Sequence, residues 1–124
     1  MLPSEQLDEL LPRLRRFARA STGDVRLADD CVEDALKALI KTIQDSPDDP
    51  MDNIEYQLYH LVQSALERRA GNSFEKQAWR AMILVMVEGR STIEAAHIMG
   101  IDQASVAKLV ASGQASARRI IGKI

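Results

Sequence analysis

Apolar residues recur at three- and four-residue steps along almost the whole chain, and this spacing restricts its fold more than any other feature. Such steps place side chains on one face of a helix, whereas a half-buried strand needs alternating apolar and polar residues. No segment alternates in this way over the length of a strand. Clusters of glycine, proline, serine and asparagine divide the chain into six helical segments. The sequence therefore predicts an all-α protein.

The first three segments predict one small helical lobe over residues 1–70. They run from about Ser4 to Ala20, from about Val25 to Thr42 and from about Asn53 to Arg69. Val25 and Ile40 lie on the predicted apolar stripe of the second segment, opposite a strongly acidic face. Cys31, the single cysteine, fits a small buried side chain in this lobe.

The fourth segment begins a second predicted lobe over residues 74–124. Ser73 is placed to cap its helix, and Gly89 is placed to end it. Trp79 and Met86 lie on its apolar stripe. Because Trp79 has the largest side chain on that stripe, we expect it to anchor this lobe.

A helix-turn-helix pattern follows. Ser91 and Glu94 have the spacing of a capping box, which predicts the start of a short fifth helix. Gly100 is suited to the positive φ that leaves this helix, and Asp102 is placed to cap a sixth. The order of helix, short glycine-containing turn and helix is typical of the helix-turn-helix. The apolar stripe of the sixth helix is predicted to include Ile120 and Ile121.

Charge and composition exclude several classes of protein. The net charge is −2 and the isoelectric point is about 5.7, so a dedicated nucleic-acid binder with a strong basic excess is not expected. One cysteine and two histidines far apart in sequence supply neither a disulfide framework nor a zinc site. No glycine-rich phosphate loop or catalytic dyad spacing is present, so we expect no cofactor and no enzyme activity. No apolar run is long enough for a membrane span or leader, which predicts a cytoplasmic protein without membrane contact.

Charge also differs between the two predicted lobes. Residues 1–70 carry nine Lys/Arg and fourteen Asp/Glu (9 − 14 = −5), and residues 71–124 carry seven and four (7 − 4 = +3). Two lobes of opposite charge suit either two different partners or one partner that spans both.

Two stretches resemble a known family. Residues 88–102, EGRSTIEAAHIMGID, followed by Ala104-Ser105-Val106, resemble region 4 of extracytoplasmic-function sigma factors. Residues 27–36, LADDCVEDAL, are similar to the acidic region 2 helix with which these factors grip the RNA polymerase clamp. The resemblance implies two helical lobes, a sigma region 2-like lobe over 1–70 and a region 4-like helix-turn-helix lobe over 74–124.

The sixth helix departs from that family. Ala107, Leu109, Ser112 and Gln114 stand where working sigma factors usually carry Lys or Arg, although Lys108 remains. Neutralising phosphates supplies most DNA affinity, so these residues form a degenerate recognition helix. We therefore expect DNA binding to be weak or absent.

Two further stretches give a closer resemblance. Residues 11–23, LPRLRRFARASTG, with residues 105–110, SVAKLV, resemble the sigma-like domains of the PhyR family of general stress response regulators. Such a domain mimics a sigma factor, binds an anti-sigma factor of the NepR type and so frees the real sigma factor. PhyR proteins continue into a receiver domain. The chain is then either a stand-alone relative or an excised domain, and in the second case a receiver domain would follow Ile124.

The acidic face of the second helix is the candidate partner-binding surface. Its carboxylates are Asp29, Asp30, Glu33 and Asp34. The other interpretation of such a charge run is a solvated helix face. The alternative function is a DNA-binding extracytoplasmic-function sigma factor, or another helix-turn-helix regulator, with the sixth helix in the major groove.

Overall fold

The computed structural model describes residues 4–46 and 53–122, which form helices and no strand. This confirms the all-α prediction. The helices are α1 (Ser4–Thr22), α2 (Val25–Asp45), α3 (Ile54–Ala70), α4 (Phe74–Met82, continued by a π-helical turn over Ile83–Val87), α5 (Thr92–Met99) and α6 (Gln103–Gly122).

Helices α1, α2 and α3 pack against one another and form the first lobe. Leu14, Phe17 and Leu58 are completely buried between them, and the Phe17 and Tyr59 rings lie 5.6 Å apart at their centroids. Cys31 is also completely buried, as predicted. An isolated helix has little stability in water, so burial of this apolar surface stabilises the three helices together.

Helices α4, α5 and α6 form the second lobe, in which α4 and α6 make the most extensive contact. Gly113 permits this contact, because a Cβ at that position would lie 2.6 Å from the carbonyl oxygen of Ala78. The π-helical turn that continues α4 is closed by a hydrogen bond from the Glu88 amide to the Ile83 carbonyl at 2.9 Å. This turn brings Glu88 and Arg90 to the surface that faces the first lobe.

The predicted helix-turn-helix is present. The Glu94 amide donates to Ser91 Oγ and the Ser91 amide donates to Glu94 Oε1, both at 3.1 Å, which confirms the capping box. Gly100 ends α5 with a φ of 69°, and the Ser105 amide donates to Asp102 Oδ1 at 2.7 Å. Both ends of α5 and the start of α6 thus have a local side-chain or glycine cap.

Several predicted stripe residues are exposed instead. Val25, Ile40, Met86, Ile120 and Ile121 are all at least half exposed. Val25 is the first residue of α2, and the last apolar residue of α6 that packs on the core is Ala117. Helical spacing identifies one face of a helix, but it does not say how far the neighbouring helices extend along that face.

The lobes contact each other directly, through α3 against α5 and through α1 against α4 and its π-helical turn. None of the described helices combines the length and apolar character needed to cross a membrane.

Candidate functional site

The acidic face of α2 is exposed to solvent, but its carboxylates already form ion pairs with basic side chains of the same lobe. Arg19 Nη2 lies 3.1 Å from an oxygen of Asp29, and Lys37 Nζ lies 2.9 Å from an oxygen of Glu33. Such exposed ion pairs contribute little to stability. The carboxylates therefore remain available to a competing cation.

Asp34 has the best-defined partner on this face. Arg69 of α3 donates from Nε at 2.6 Å and from Nη2 at 3.1 Å, and its Nη1 lies 3.9 Å from Asp30. The hydrogen bond from Arg69 lowers the pKa of Asp34. The two carboxylates and this guanidinium form a polar edge between α2 and α3.

The predicted recognition helix is α6, and the structure places its residues on different faces. Ala107 and Lys108 are exposed, Ser112 and Gln114 are half-buried, and Leu109 is only 4% exposed. Leu109 therefore belongs to the core, where a lysine or arginine would be costly. Beyond Lys108, the described cations of α6 are Arg118 and Arg119, near its end; Lys123 lies outside the described residues.

An apolar groove of about 230 Å³ lies beside Lys108. It is lined by Phe74, Gln77, Ile101, Ser105, Lys108 and Leu109. The Phe74 side chain is 60% exposed, which is unusual for so large an apolar group. Met86, Val87 and Ile93 add exposed apolar surface elsewhere on this lobe. Apolar grooves of this kind accept the apolar face of a partner helix.

The surface between the lobes centres on Arg90, whose side chain is 8% exposed. Its Nη2 binds Glu55 of α3, and its Nη1 lies 3.3 Å from Glu94 Oε2. The guanidinium carbon lies 4.6 Å from the centroid of the Tyr59 ring, within cation–π distance. Burial favours a lower pKa of Arg90, but the hydrogen bonds with Glu55 and Tyr59 raise it, so Arg90 stays charged.

Glu55 also accepts a hydrogen bond from Arg13 of α1 at 2.5 Å. Burial alone would raise the pKa of Glu55, but the hydrogen bonds and positive charges of Arg90 and Arg13 together lower it. One carboxylate of the first lobe thus pairs with two guanidinium groups, one from each lobe.

Glu88 provides the reciprocal contact. Its side chain is 1% exposed, and its Oε2 accepts from Arg16 Nε at 2.8 Å and Nη2 at 2.5 Å. The Tyr59 hydroxyl donates to the other carboxylate oxygen at 3.1 Å. Both donors come from the first lobe, so the buried charge of Glu88 is compensated from across the boundary.

The helical patterns of the sequence do not predict this pairing. The one local signal is the four-residue spacing of Arg90 and Glu94, although Arg90 precedes α5. The other pairs join residues far apart in sequence, which a single sequence does not reveal.

The two histidines lie at the same boundary. His60 Nδ1 is 2.7 Å from the Ile98 carbonyl oxygen, and the His97 ring is 6.1 Å from that of Tyr56. The Tyr56 hydroxyl donates to Glu94 at 2.6 Å, a contact that raises the pKa of Tyr56. Within residues 4–46 and 53–122 no group of His, Cys, Asp and Glu is arranged to hold a metal ion.

Comparisons with protein families give two matches that together cover most of the chain. The family described as the sigma2 domain of PhyR matches residues 7–63. The family described as the response regulator PhyR, sigma-like domain, matches residues 76–117. No curated protein matches the chain.

Solved structures of PhyR proteins are similar to the chain. The response regulator PhyR from Brucella abortus is 33% identical, with a TM-score of 0.71 over 93% of this chain and 44% of that protein. The anti-anti-sigma factor PhyR from Bartonella quintana, crystallised with the anti-sigma factor NepR, is 28% identical, with a TM-score of 0.74. That match covers 95% of this chain and 51% of the relative. The chain therefore spans about half of these two proteins.

A third structure is the complex of the PhyR sigma-like domain with NepR from Sphingomonas sp. Fr1. It is 23% identical and has a TM-score of 0.68, over 96% of this chain and 88% of the relative. At this identity the likeness shows the shared fold.

Proposed function

This chain belongs to the PhyR family, and from that membership we propose that it is a sigma-factor mimic that sequesters an anti-sigma factor of the NepR type. Sequestration would release the real sigma factor in a stress response. The activity is binding, and the family is a regulatory one rather than a known enzyme family.

One observation carries this proposal. The PhyR protein crystallised with NepR matches 95% of this chain with a TM-score of 0.74, so the match includes both lobes together. A binding surface that spans two lobes is the same in two proteins only when the lobes have the same relative placement in both. This supports an arrangement in this chain that suits the same kind of partner.

The exposed surfaces suit an amphipathic helical partner. Phe74 and the groove beside Lys108 offer apolar contact on the second lobe, and Val25 and Ile40 offer it on the first. We propose that apolar faces of the anti-sigma factor lie across both lobes. The acidic face of α2, with Asp29, Asp30, Glu33 and Asp34, would steer basic side chains of the partner.

The alternative is a DNA-binding sigma factor or another helix-turn-helix regulator. Ala107, Ser112 and Gln114 provide no positive charge on the exposed part of α6, and Lys108 is its single cation before Arg118. A protein loses orders of magnitude in DNA affinity when several phosphate contacts are missing. The distribution of charge therefore favours the mimic.

Calorimetry with two ligands tests the proposal. We expect the chain to bind the purified NepR-type protein encoded in the same genome, and not to bind a promoter duplex at about 150 mM salt, where phosphate contacts are already weakened. Submicromolar, sequence-dependent binding to the duplex would contradict the mimic and favour the alternative. Absence of binding to the NepR-type protein would contradict the proposed partner.

We further propose that the chain acts in the cytoplasm, where sigma factors meet RNA polymerase. A receiver domain after Ile124 stays a prediction from the family resemblance.

A further inference from the structure

Besides a buried apolar core that includes residues of both lobes, an alternating arrangement of charged side chains joins the two lobes. We call this set the clasp; its members are Arg13, Arg16, Glu55 and Tyr59 of the first lobe and Glu88 and Arg90 of the second. The second lobe thus presents one anion and one cation, and the first lobe presents the opposite charge to each.

The two charges that the second lobe contributes to the clasp differ from ordinary surface ion pairs in their burial, although Arg13 and Arg16 on the other side are 40% and 56% exposed. The Glu88 side chain is 1% exposed and that of Arg90 is 8% exposed, whereas most other paired side chains are far more accessible. A buried charge that loses its partner keeps its desolvation cost. A shift of one lobe against the other that kept these side chains buried would therefore leave both charges without the partners that now compensate them.

The order of charges also specifies one relative orientation of the lobes. A rotation that moved Arg90 toward Arg16, or Glu88 toward Glu55, would bring like charges together in a partly desolvated contact. Tyr59 lies between the two pairs, since its hydroxyl donates to Glu88 while its ring lies under the Arg90 guanidinium. One tyrosine of the first lobe thus contacts both charges of the second.

We propose that the clasp is a positioning device, in which Arg90 and Glu88 fix the spacing of the two lobes before any partner binds. This inference rests on the proposed function, because the benefit of a fixed spacing is a surface already arranged for a partner that spans both lobes. The match of both lobes to a PhyR protein in its NepR complex agrees with an arrangement that is kept on binding.

A fixed spacing of the lobes raises affinity because it increases the fraction of free molecules whose lobes are already placed for binding the partner. The apparent dissociation constant equals the intrinsic constant divided by that fraction. If loss of the clasp leaves about one molecule in ten correctly arranged, the apparent constant rises about tenfold. The partner-contacting surfaces themselves are unchanged in such a variant.

Distances between spin labels measure the lobe spacing directly. In a Cys31→Ala background, Lys41→Cys on α2 and Arg118→Cys on α6 place one label on each lobe at exposed positions. We expect a narrow distribution of distances in the free protein and the same mean distance with the NepR-type protein bound. A mean that moves on binding would overturn the fixed spacing.

Two conservative variants weaken the clasp from opposite sides. Arg90→Lys keeps the charge but loses the two-sided geometry of the guanidinium, and Glu55→Gln keeps the shape but loses the charge. Each should broaden the distribution of distances in the free protein and raise the dissociation constant for the NepR-type protein about tenfold. Distributions as narrow as that of the wild type in both variants would overturn the proposal, and the second variant decides the matter if the first does not fold.

The matched control is Arg69→Lys, which weakens an arginine–carboxylate pair within the first lobe. It should leave the distribution of distances narrow; broadening equal to that of Arg90→Lys would mean that general loosening, and not the clasp, sets the spacing. Failure of the proposed function has a different signature, since the wild type would then show a narrow distribution and no binding to the NepR-type protein.

Discussion

The indole Nε1–H of Trp79 donates a hydrogen bond at 2.8 Å to the main-chain carbonyl of Ala20, and so joins α4 of the second lobe to the end of α1. Helical spacing placed Trp79 on the core stripe of the second lobe. The structure shows a partly buried ring that packs on the core while its polar edge reaches the first lobe. An indole is suited to this position because it combines a large apolar surface with one donor.

Substitution of Trp79 separates these two contributions. Trp79→Phe should cost about 1 kcal/mol of unfolding free energy, because the hydrogen bond to Ala20 is lost while most of the apolar contact remains. Trp79→Ala should cost more, although less than the full 3–5 kcal/mol or so that is typical of a completely buried aromatic side chain. Urea unfolding followed by circular dichroism measures both. Equal stability of the two variants would show that the ring itself contributes nothing.

A second prediction concerns the contact between α4 and α6. Gly113→Ala should destabilise the protein, because the new Cβ would lie 2.6 Å from the Ala78 carbonyl oxygen and 2.9 Å from Met82 Cβ. Overpacking of this kind costs about 1–3 kcal/mol, against a gain of about 1 kcal/mol from the higher helix propensity of alanine.

Gly122→Ala is the matched control for Gly113→Ala. It makes the same change in the same helix, but there the added Cβ would have no tertiary contact within 4 Å. The melting temperature should therefore stay equal to that of the wild type or rise slightly. If both variants melt at the wild-type temperature, α4 and α6 are not as close as the structure places them.

The features that the sequence predicts well are those that depend on neighbours in the chain. The capping box of Ser91 and Glu94, the positive φ of Gly100 and the cap at Asp102 each involve residues within three positions of one another. Their physics is local, so spacing alone identifies them.

The clasp depends on tertiary placement instead. Arg16 and Glu88 are 72 positions apart, and Glu55 and Arg90 are 35 apart. Their pairing follows from how the lobes dock, which the helical patterns do not specify. The exposure of Ile121 has the same origin, because only the three-dimensional arrangement shows where α6 extends beyond its neighbours.

A third prediction concerns acid. The hydroxyl of Tyr56, followed by the amide of Ser91, holds the pKa of Glu94 at about 2, below its usual 4.5. A carboxyl whose pKa is lower in the folded state contributes stability that is fully present above the unfolded pKa and is lost as the pH falls through the folded pKa. The contribution of Glu94 should therefore be complete above about pH 4.5 and should disappear toward pH 2.

Glu94→Gln measures this contribution, since glutamine retains the capping-box geometry but does not titrate. The wild type should be the more stable protein at pH 6, and the difference in unfolding free energy should narrow as the pH falls from 4.5 toward 2. Two stability curves that stay parallel across this range would contradict the role assigned to the Glu94 carboxylate.

The last prediction concerns the acidic face of α2. Asp30→Lys with Asp34→Lys should slow association with the NepR-type protein at low salt and matter much less at high salt, because exposed charges are screened over about 10 Å at 0.1 M ionic strength. The double variant also loses the contacts of Arg69 with both carboxylates, which as exposed ion pairs contribute little to stability. Folding is therefore checked by circular dichroism before the stopped-flow measurement.

Two controls separate the α2 face from net charge. Glu5→Lys with Glu9→Lys makes the same change of four charge units at exposed positions of α1, and it should slow association less than the α2 variant. Arg69→Ala removes the cation that now competes for Asp34, so association at low salt should become faster. If both double variants slow association equally, only the total charge matters, and the four carboxylates of α2 form a solvated helix face rather than a docking surface.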